Sequence, residues 1–207
     1  MFIATIKRRD FPEGINVLSK GNSPFFIPKS LILEFELPYY NDGQEIDEEL
    51  YIELKKINEI FLCRKKALDL LARREHTKME IKAKLVQRKF SLFAIENTIS
   101  YIVNKNYLSE ERFCETFIVN RNRKGEGKFL VVTRLQNKGI SSTLANSIYD
   151  KIVNYDMEHE ACLKAFNSII NKNNEKEVVK YKLIKKGFNN SIINSVLEQE
   201  YKLLKNN

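Results

Sequence analysis

The chain of 207 residues has no tryptophan, two histidines, three cysteines, seven glycines and four prolines, the last of them Pro38. Each scarcity excludes something. Three cysteines, odd in number and far apart, do not make a disulfide framework and point to a reducing compartment. His76 and His159 lie far apart in the chain and neither has a partner at metal-ligand or triad spacing, so no metal and no catalytic residue is expected. His76, just ahead of a helix start, suits a cap or the surface. Lys124-Gly125-Glu126-Gly127-Lys128 lacks the spacing and the hydroxyl of a phosphate-binding loop, and no Gly-x-Gly-x-x-Gly follows a strand, so no cofactor is expected. There is no apolar run of about 18 residues to span a membrane. The opening MFIATIKRRDFPEG puts a short apolar run ahead of its charge, unlike a signal peptide. The expected location is the cytoplasm, and the expected class is a binder rather than an enzyme.

Charge is present in quantity and unevenly placed. The chain carries +8 overall. Residues 1–60 hold 7 basic and 11 acidic side chains, whereas residues 61–105 hold 11 basic and 4 acidic. Residues 106–154 carry a net +3 and 155–207 a net +2. A basic stretch of this kind suits a polyanion or an acidic protein surface.

Residues 2–8, 15–18 and 25–27 alternate or cluster apolar residues around Asp10-Phe11-Pro12-Glu13-Gly14 and Gly21-Asn22-Ser23-Pro24, which predicts a small antiparallel meander of two or three strands. A short helix is expected from Pro28 to before Pro38, and another over 47–59, opened by Asp47, Glu48 and Glu49. The segment 1–60 thus forms an α/β module. No proline follows, and the remainder reads as helix.

That remainder repeats. KLVQRKF (84–90), RLQNKGI (134–140) and KLIKKGF (182–188) align, and their anchor leucines Leu85, Leu135 and Leu183 are almost evenly spaced. Such a period marks units too small to bury a core alone. Three units of three helices each are expected over 61–105, 106–154 and 155–207, with first helices near 61–73, 110–123 and 157–171. Gly139 and Gly187 suit left-handed helix caps, each followed by an apolar residue. The first unit has Lys89 there, at roughly 1 kcal/mol if the left-handed geometry is kept. Thr77-x-x-Glu80 fits a capping box, and Ser109 before Glu110-Glu111 another helix start. Cys63, Cys114 and Cys162 precede the anchor leucines by an almost constant interval, which predicts three buried core thiols in the first helices.

The words of the first unit are specific. ALDLLARREHTKMEIKAKLVQRKF, then Asn106-Tyr107-Leu108-Ser109-Glu110-Glu111-Arg112-Phe113, then GKFLVVTRLQNKGI from Gly127, resemble the repeats of the RecX family, modulators of the RecA recombinase. Thr77 stands where that family usually has serine, and Lys89 where it usually has glycine. The resemblance implies a mainly α fold of tandem three-helix repeats forming an elongated array behind a small N-terminal α/β module. It also implies a non-catalytic regulator in DNA repair, homologous recombination and the SOS response. Such a protein binds the RecA filament, lies in its groove and inhibits strand exchange and ATP hydrolysis. The partner expected is the RecA filament, with single- or double-stranded DNA as a second. Candidate contacts are Arg73, Arg74, Lys78, Lys82, Arg88 and Lys89 in the first unit and Arg121, Arg123, Lys124 and Lys128 in the second. Two other readings stay open: a stand-alone DNA-binding protein with helix-turn-helix-like units, and a helical scaffold for some other acidic partner.

Overall fold

The computed structural model describes residues 3–170 and 175–205, with side chains to residue 202. Among these residues there are four strands and ten helices. The predicted strand start at Phe2 and helix end at Asn171 lie outside them. The chain divides into two compact units, one of residues 1–74 and 80–108, the other of 75–79 and 109–207.

The first unit opens on a sheet of β1 (Ala4–Arg9), β2 (Gly14–Ser19), β3 (Phe25–Pro28) and β4 (Glu45–Ile46), in the order β3-β2-β1-β4. All its pairings are antiparallel. Alternation puts Ala4, Ile6, Ile15 and Val17 in the core while Lys7 faces solvent. The sequence pattern predicts two or three strands. The fourth is very short and exists only through its pairing with Ala4 and Thr5. Helix α1 is Lys29–Glu34, ended by Glu36 at φ 49°.

Helix α2 (Glu48–Leu71) corrects the expectation of separate helices over 47–59 and 61–73. Nothing between Leu50 and Leu71 is glycine or proline, so nothing breaks it. Asp47 caps it, accepting from the Leu50 amide at 2.9 Å. The helix serves two cores in turn. Tyr51, Leu54 and Ile57 join the sheet residues. Ile60, Cys63, Ala67 and Leu70 then pack with α3 (Lys78–Gln87) and α4 (Leu92–Asn104). The Asn58 side-chain amide donates to the Phe26 carbonyl at 2.7 Å, tying β3 to α2.

The second unit holds α5 (Glu110–Asn122), α6 (Lys128–Gln136) and α7 (Ser142–Ile152) around Phe113, Ile118, Leu135 and Tyr149. It continues with α8 (Tyr155–Ile169), α9 (Lys176–Lys185) and α10 (Asn190–Lys205) around Phe166, Val179, Leu183 and Ile193. Cys63, Cys114 and Cys162 are fully buried and unbonded in α2, α5 and α8, as their spacing predicts.

The three repeated turns share one geometry. Lys89, Gly139 and Gly187 have φ of 62°, 85° and 91°. The next amide, of Phe90, Ile140 and Phe188, donates back to the anchor carbonyl of Leu85, Leu135 and Leu183 at 3.4, 3.1 and 3.4 Å. This is a Schellman closure, and Lys89 keeps it without glycine. One residue on, Ser91, Ser141 and Asn189 cap the third helices through their side-chain oxygens.

Candidate partner-binding surface

Ten cations are the sequence candidates, and the structure divides them. In the first unit, Arg74 pairs with Glu80 at 2.9 Å, and Arg88 donates to the Lys84 carbonyl at 2.9 Å. In the second, Lys78 pairs with Glu110 at 3.8 Å and Lys128 with Asp150 at 2.6 Å. Arg121 pairs with Glu126 at 3.3 Å and lies over the Phe117 ring. These five are engaged within the fold, although an exposed pair such as that of Lys128 with Asp150 is worth only about 0–1 kcal/mol.

The other five point outward. Arg73 follows α2, Lys82 lies on α3 one turn beyond Lys78, and Lys89 sits at its left-handed turn; all three are exposed. Arg123 and Lys124 are exposed on the turn after α5, where Gly125 takes φ 73°. None of the five makes an ion pair with the described residues. Each unit thus presents exposed cations of its own that pair with none of the described residues, Arg73, Lys82 and Lys89 in the first and Arg123 and Lys124 in the second.

Several working residues escape a reading of the sequence. Arg64 is 7% exposed and forks onto Glu34, with its Nη1 and Nη2 at 2.6 and 2.5 Å from the carboxylate oxygens. It also donates to Asn97 Oδ1 at 2.6 Å and stacks over Tyr101 at 4.0 Å. Its hydrogen bond lowers the Glu34 carboxyl below its ordinary value. The available signal was position: Arg64 shares the stripe of Ile60, Cys63 and Ala67. Glu126, buried after α5, holds Arg134 at 3.0 Å as well as Arg121. Glu158 of α8 accepts from the Lys128 amide at 3.4 Å, at the start of α6, and burial pushes its carboxyl up. His76, expected at a cap or on the surface, is buried directly before α3.

The thiols are set for packing rather than chemistry. Burial raises all three, Cys114 to about 11 and Cys162 to about 12. Among the described residues no group of three or more His, Cys, Asp or Glu could hold a metal ion, and no helix is long and apolar enough to cross a membrane. The ten candidate cations lie on helix faces and turns.

Comparison with known proteins follows the same lines. Residues 63–101, from within α2 to within α4, match the family model described as RecX, first three-helix domain. The chain is 33% identical over 141 residues to the regulatory protein RecX of Chlorobium phaeobacteroides (strain BS1), covering 66% of this chain and 91% of that protein. It is 29% identical over 170 residues to the regulatory protein RecX of Clostridium perfringens (strain SM101 / Type A), covering 75% and 78%. Its fold is similar to a crystal structure of regulatory protein RecX, with a TM-score of 0.76 at 16% identity over 96% of this chain and all of that one. RecX from Lactobacillus salivarius matches with a TM-score of 0.60 at 20% identity, over 70% of this chain and 97% of that one.

Proposed function

The chain belongs to the RecX family of regulatory proteins, and from that premise we propose that it binds the RecA recombinase on DNA and restrains strand exchange and the coupled ATP hydrolysis, with no catalysis of its own. The observation that supports this most is the set of outward, unpaired cations, Arg73, Lys82 and Lys89 on one unit and Arg123 and Lys124 on the other. Lys82 sits on the exposed face of α3 and the other four on turns that follow helices. A nucleoprotein filament supplies the matching charge as phosphates and acidic side chains. The other five candidates, Arg74, Lys78, Arg88, Arg121 and Lys128, add a diffuse positive field but are held by internal partners.

The test is RecA-catalysed ATP hydrolysis on single-stranded DNA, titrated with the full chain. Wild type lowers the rate. A variant with Arg73, Lys82, Lys89, Arg123 and Lys124 changed to serine needs on the order of tenfold more protein for the same effect. The loss shrinks as salt rises. Wild type that leaves the rate unchanged overturns the proposal. Tight binding to bare DNA without recombinase, falling steeply with salt, favours instead a stand-alone DNA-binding protein.

A further inference from the structure

The second helices of the three repeats, α3, α6 and α9, keep large apolar side chains in solvent. Met79 of α3 is 47% exposed, Phe129 of α6 is 64% exposed, and Tyr181 and Ile184 of α9 are 57% and 46% exposed. Single exposed apolar residues are ordinary, but these recur at one structural position. Met79 and Phe129 are each the second residue of their helix, each follows a lysine, and their separation matches that of the anchor leucines Leu85 and Leu135.

Each also stands at a junction between repeats. The Phe129 amide donates to the Gly187 carbonyl at 3.0 Å, and the Gly187 amide donates to the Ile184 carbonyl at 2.9 Å. The turn after α9 is therefore bonded to the start of α6. Gly139, in the turn after α6, lies so close to Met79 that a Cβ there would be 3.0 Å from the Met79 Cβ. The backbone around both exposed side chains is fixed, so burying them against a partner costs little ordering beyond the side chains themselves.

We propose that Met79 and Phe129 are paired anchors for a protein partner whose surface is acidic and carries apolar side chains. This deepens the functional reading above and rests on it: the partner surface is the protein part of the recombinase filament. Charge complementarity supports the acidic side. Lys138 and Lys186 precede the two glycines, and Lys182 and Lys185 are exposed on α9. Lys182 and Lys185 make no ion pair with the described residues. Repetition supports the filament, since two like anchors at a fixed interval suit a partner that itself repeats. The aliphatic members argue against nucleic acid at this face, because bases stack on aromatic rings rather than on Met79 or Ile184.

The test compares the full wild-type chain with Met79→Ser/Phe129→Ser and with Phe129→Leu. Their binding is measured to recombinase filaments on single-stranded DNA and to the bare DNA, with sedimentation equilibrium and thermal melting of the free chains. The double variant is expected to bind filaments at least about tenfold more weakly. Its affinity for bare DNA, its melting and its oligomeric state should match wild type, and Phe129→Leu should keep most of the binding. Filament binding by the double variant equal to wild type overturns the anchors while leaving the functional reading intact. An equal loss on bare DNA reassigns the face to base stacking, and a wild-type dimer made monomeric by the variant reassigns it to self-association. Either result overturns the proposal. Early melting of the double variant overturns the assignment of these side chains as free surface. Wild type that binds no filament overturns both readings together.

Discussion

The Gly127 amide donates to the Lys186 carbonyl at 2.8 Å, although the two residues belong to different repeats. This bond joins the C-terminal turn of α9 to the N-terminus of α6, so an orphan carbonyl of one helix end meets an orphan amide of another. The helix dipoles meet negative end to positive end, which is favourable. The approach is so close that a Cβ on Gly127 would lie 2.6 Å from the Gly187 carbonyl carbon and oxygen, and one on Gly187 would lie 2.3 Å from the Leu130 amide nitrogen. Gly127 and Gly187 are thus parts of one joint.

Substitution of Gly187 tests that joint. Gly187→Ala must hold an L-residue at φ 91° and also push α6 away. The left-handed conformation and the overpacking together predict a loss of about 2–5 kcal/mol, read from urea unfolding. Lys89→Gly is the opposite case. Lys89 is exposed at φ 62°, in the first unit. Glycine removes the left-handed penalty but adds freedom to the unfolded chain, so a small gain of about 0.5–1 kcal/mol is expected. Equal effects at the two positions would mean that the turns are strained alike and that the joint contributes nothing.

Arg64 predicts an acid-sensitive first unit. The side chain is buried, and its partner Glu34 has a carboxyl held below its ordinary value, first by that hydrogen bond. A group whose folded value is lowered stabilises the fold above the unfolded value, near 4.5, and loses that contribution as pH falls through the folded value. Melting temperature should therefore drop between about pH 5 and pH 3 in wild type, and drop less in Glu34→Gln. Arg64→Ala should cost about 3 kcal/mol at neutral pH, since it removes both the pair and the packing on Tyr101. An unchanged pH profile in Glu34→Gln would show that the pair does not carry the acid response.

The thiols give a probe of opening. With Cys114 at about 11 and Cys162 at about 12, roughly one thiol in a thousand or fewer is a thiolate at pH 8, and none is exposed. The native chain should react with DTNB only as fast as it opens, while the chain in urea titrates three thiols at once. Rapid reaction of one thiol in the native state would show that its helix is not packed as described.

Much of this was legible in sequence because it is local. The Schellman turns need a residue that tolerates positive φ and an apolar residue after it, and Lys-Gly-Ile and Lys-Gly-Phe state both. The cysteines keep their interval from the anchor leucines. The caps at Ser91, Ser141 and Asn189 keep a fixed offset from those turns as well, but only the structure shows them as caps. What was hidden depends on residues far away. The helices expected over 47–59 and 61–73 are the single helix α2, because the change of charge near residue 60 does not break a helix. Strand β4 is too short to have a pattern of its own. Among the cations, Lys128 finds Asp150 and Arg64 finds Glu34 across 22 and 30 residues, and no spacing rule links such pairs. Composition therefore marked a basic surface while leaving open which half of it is spent inside the fold.

The three equivalent caps should not be equal in worth. Among the described residues, the Ser141 side chain accepts from the Leu144 amide at 3.2 Å and the Asn189 side chain from the Ile192 amide at 2.8 Å, and neither makes a further side-chain bond. Ser91 does more: its oxygen accepts from the Ala94 amide at 3.2 Å, and its hydroxyl donates to Glu59 at 2.8 Å. Its backbone amide donates to the other Glu59 oxygen at 2.7 Å, so Glu59 of α2 clamps the start of α4 from both atoms. Ser141→Ala and Asn189→Ala should each cost about 1 kcal/mol, the usual worth of a cap. Ser91→Ala should cost roughly 1 kcal/mol more, because a charge-assisted bond is lost with the cap. In Glu59→Gln the excess should fall, since the acceptor is then neutral. A double-mutant cycle between Ser91 and Glu59 in urea isolates that coupling, and a coupling of zero would reduce Ser91 to a cap like the other two.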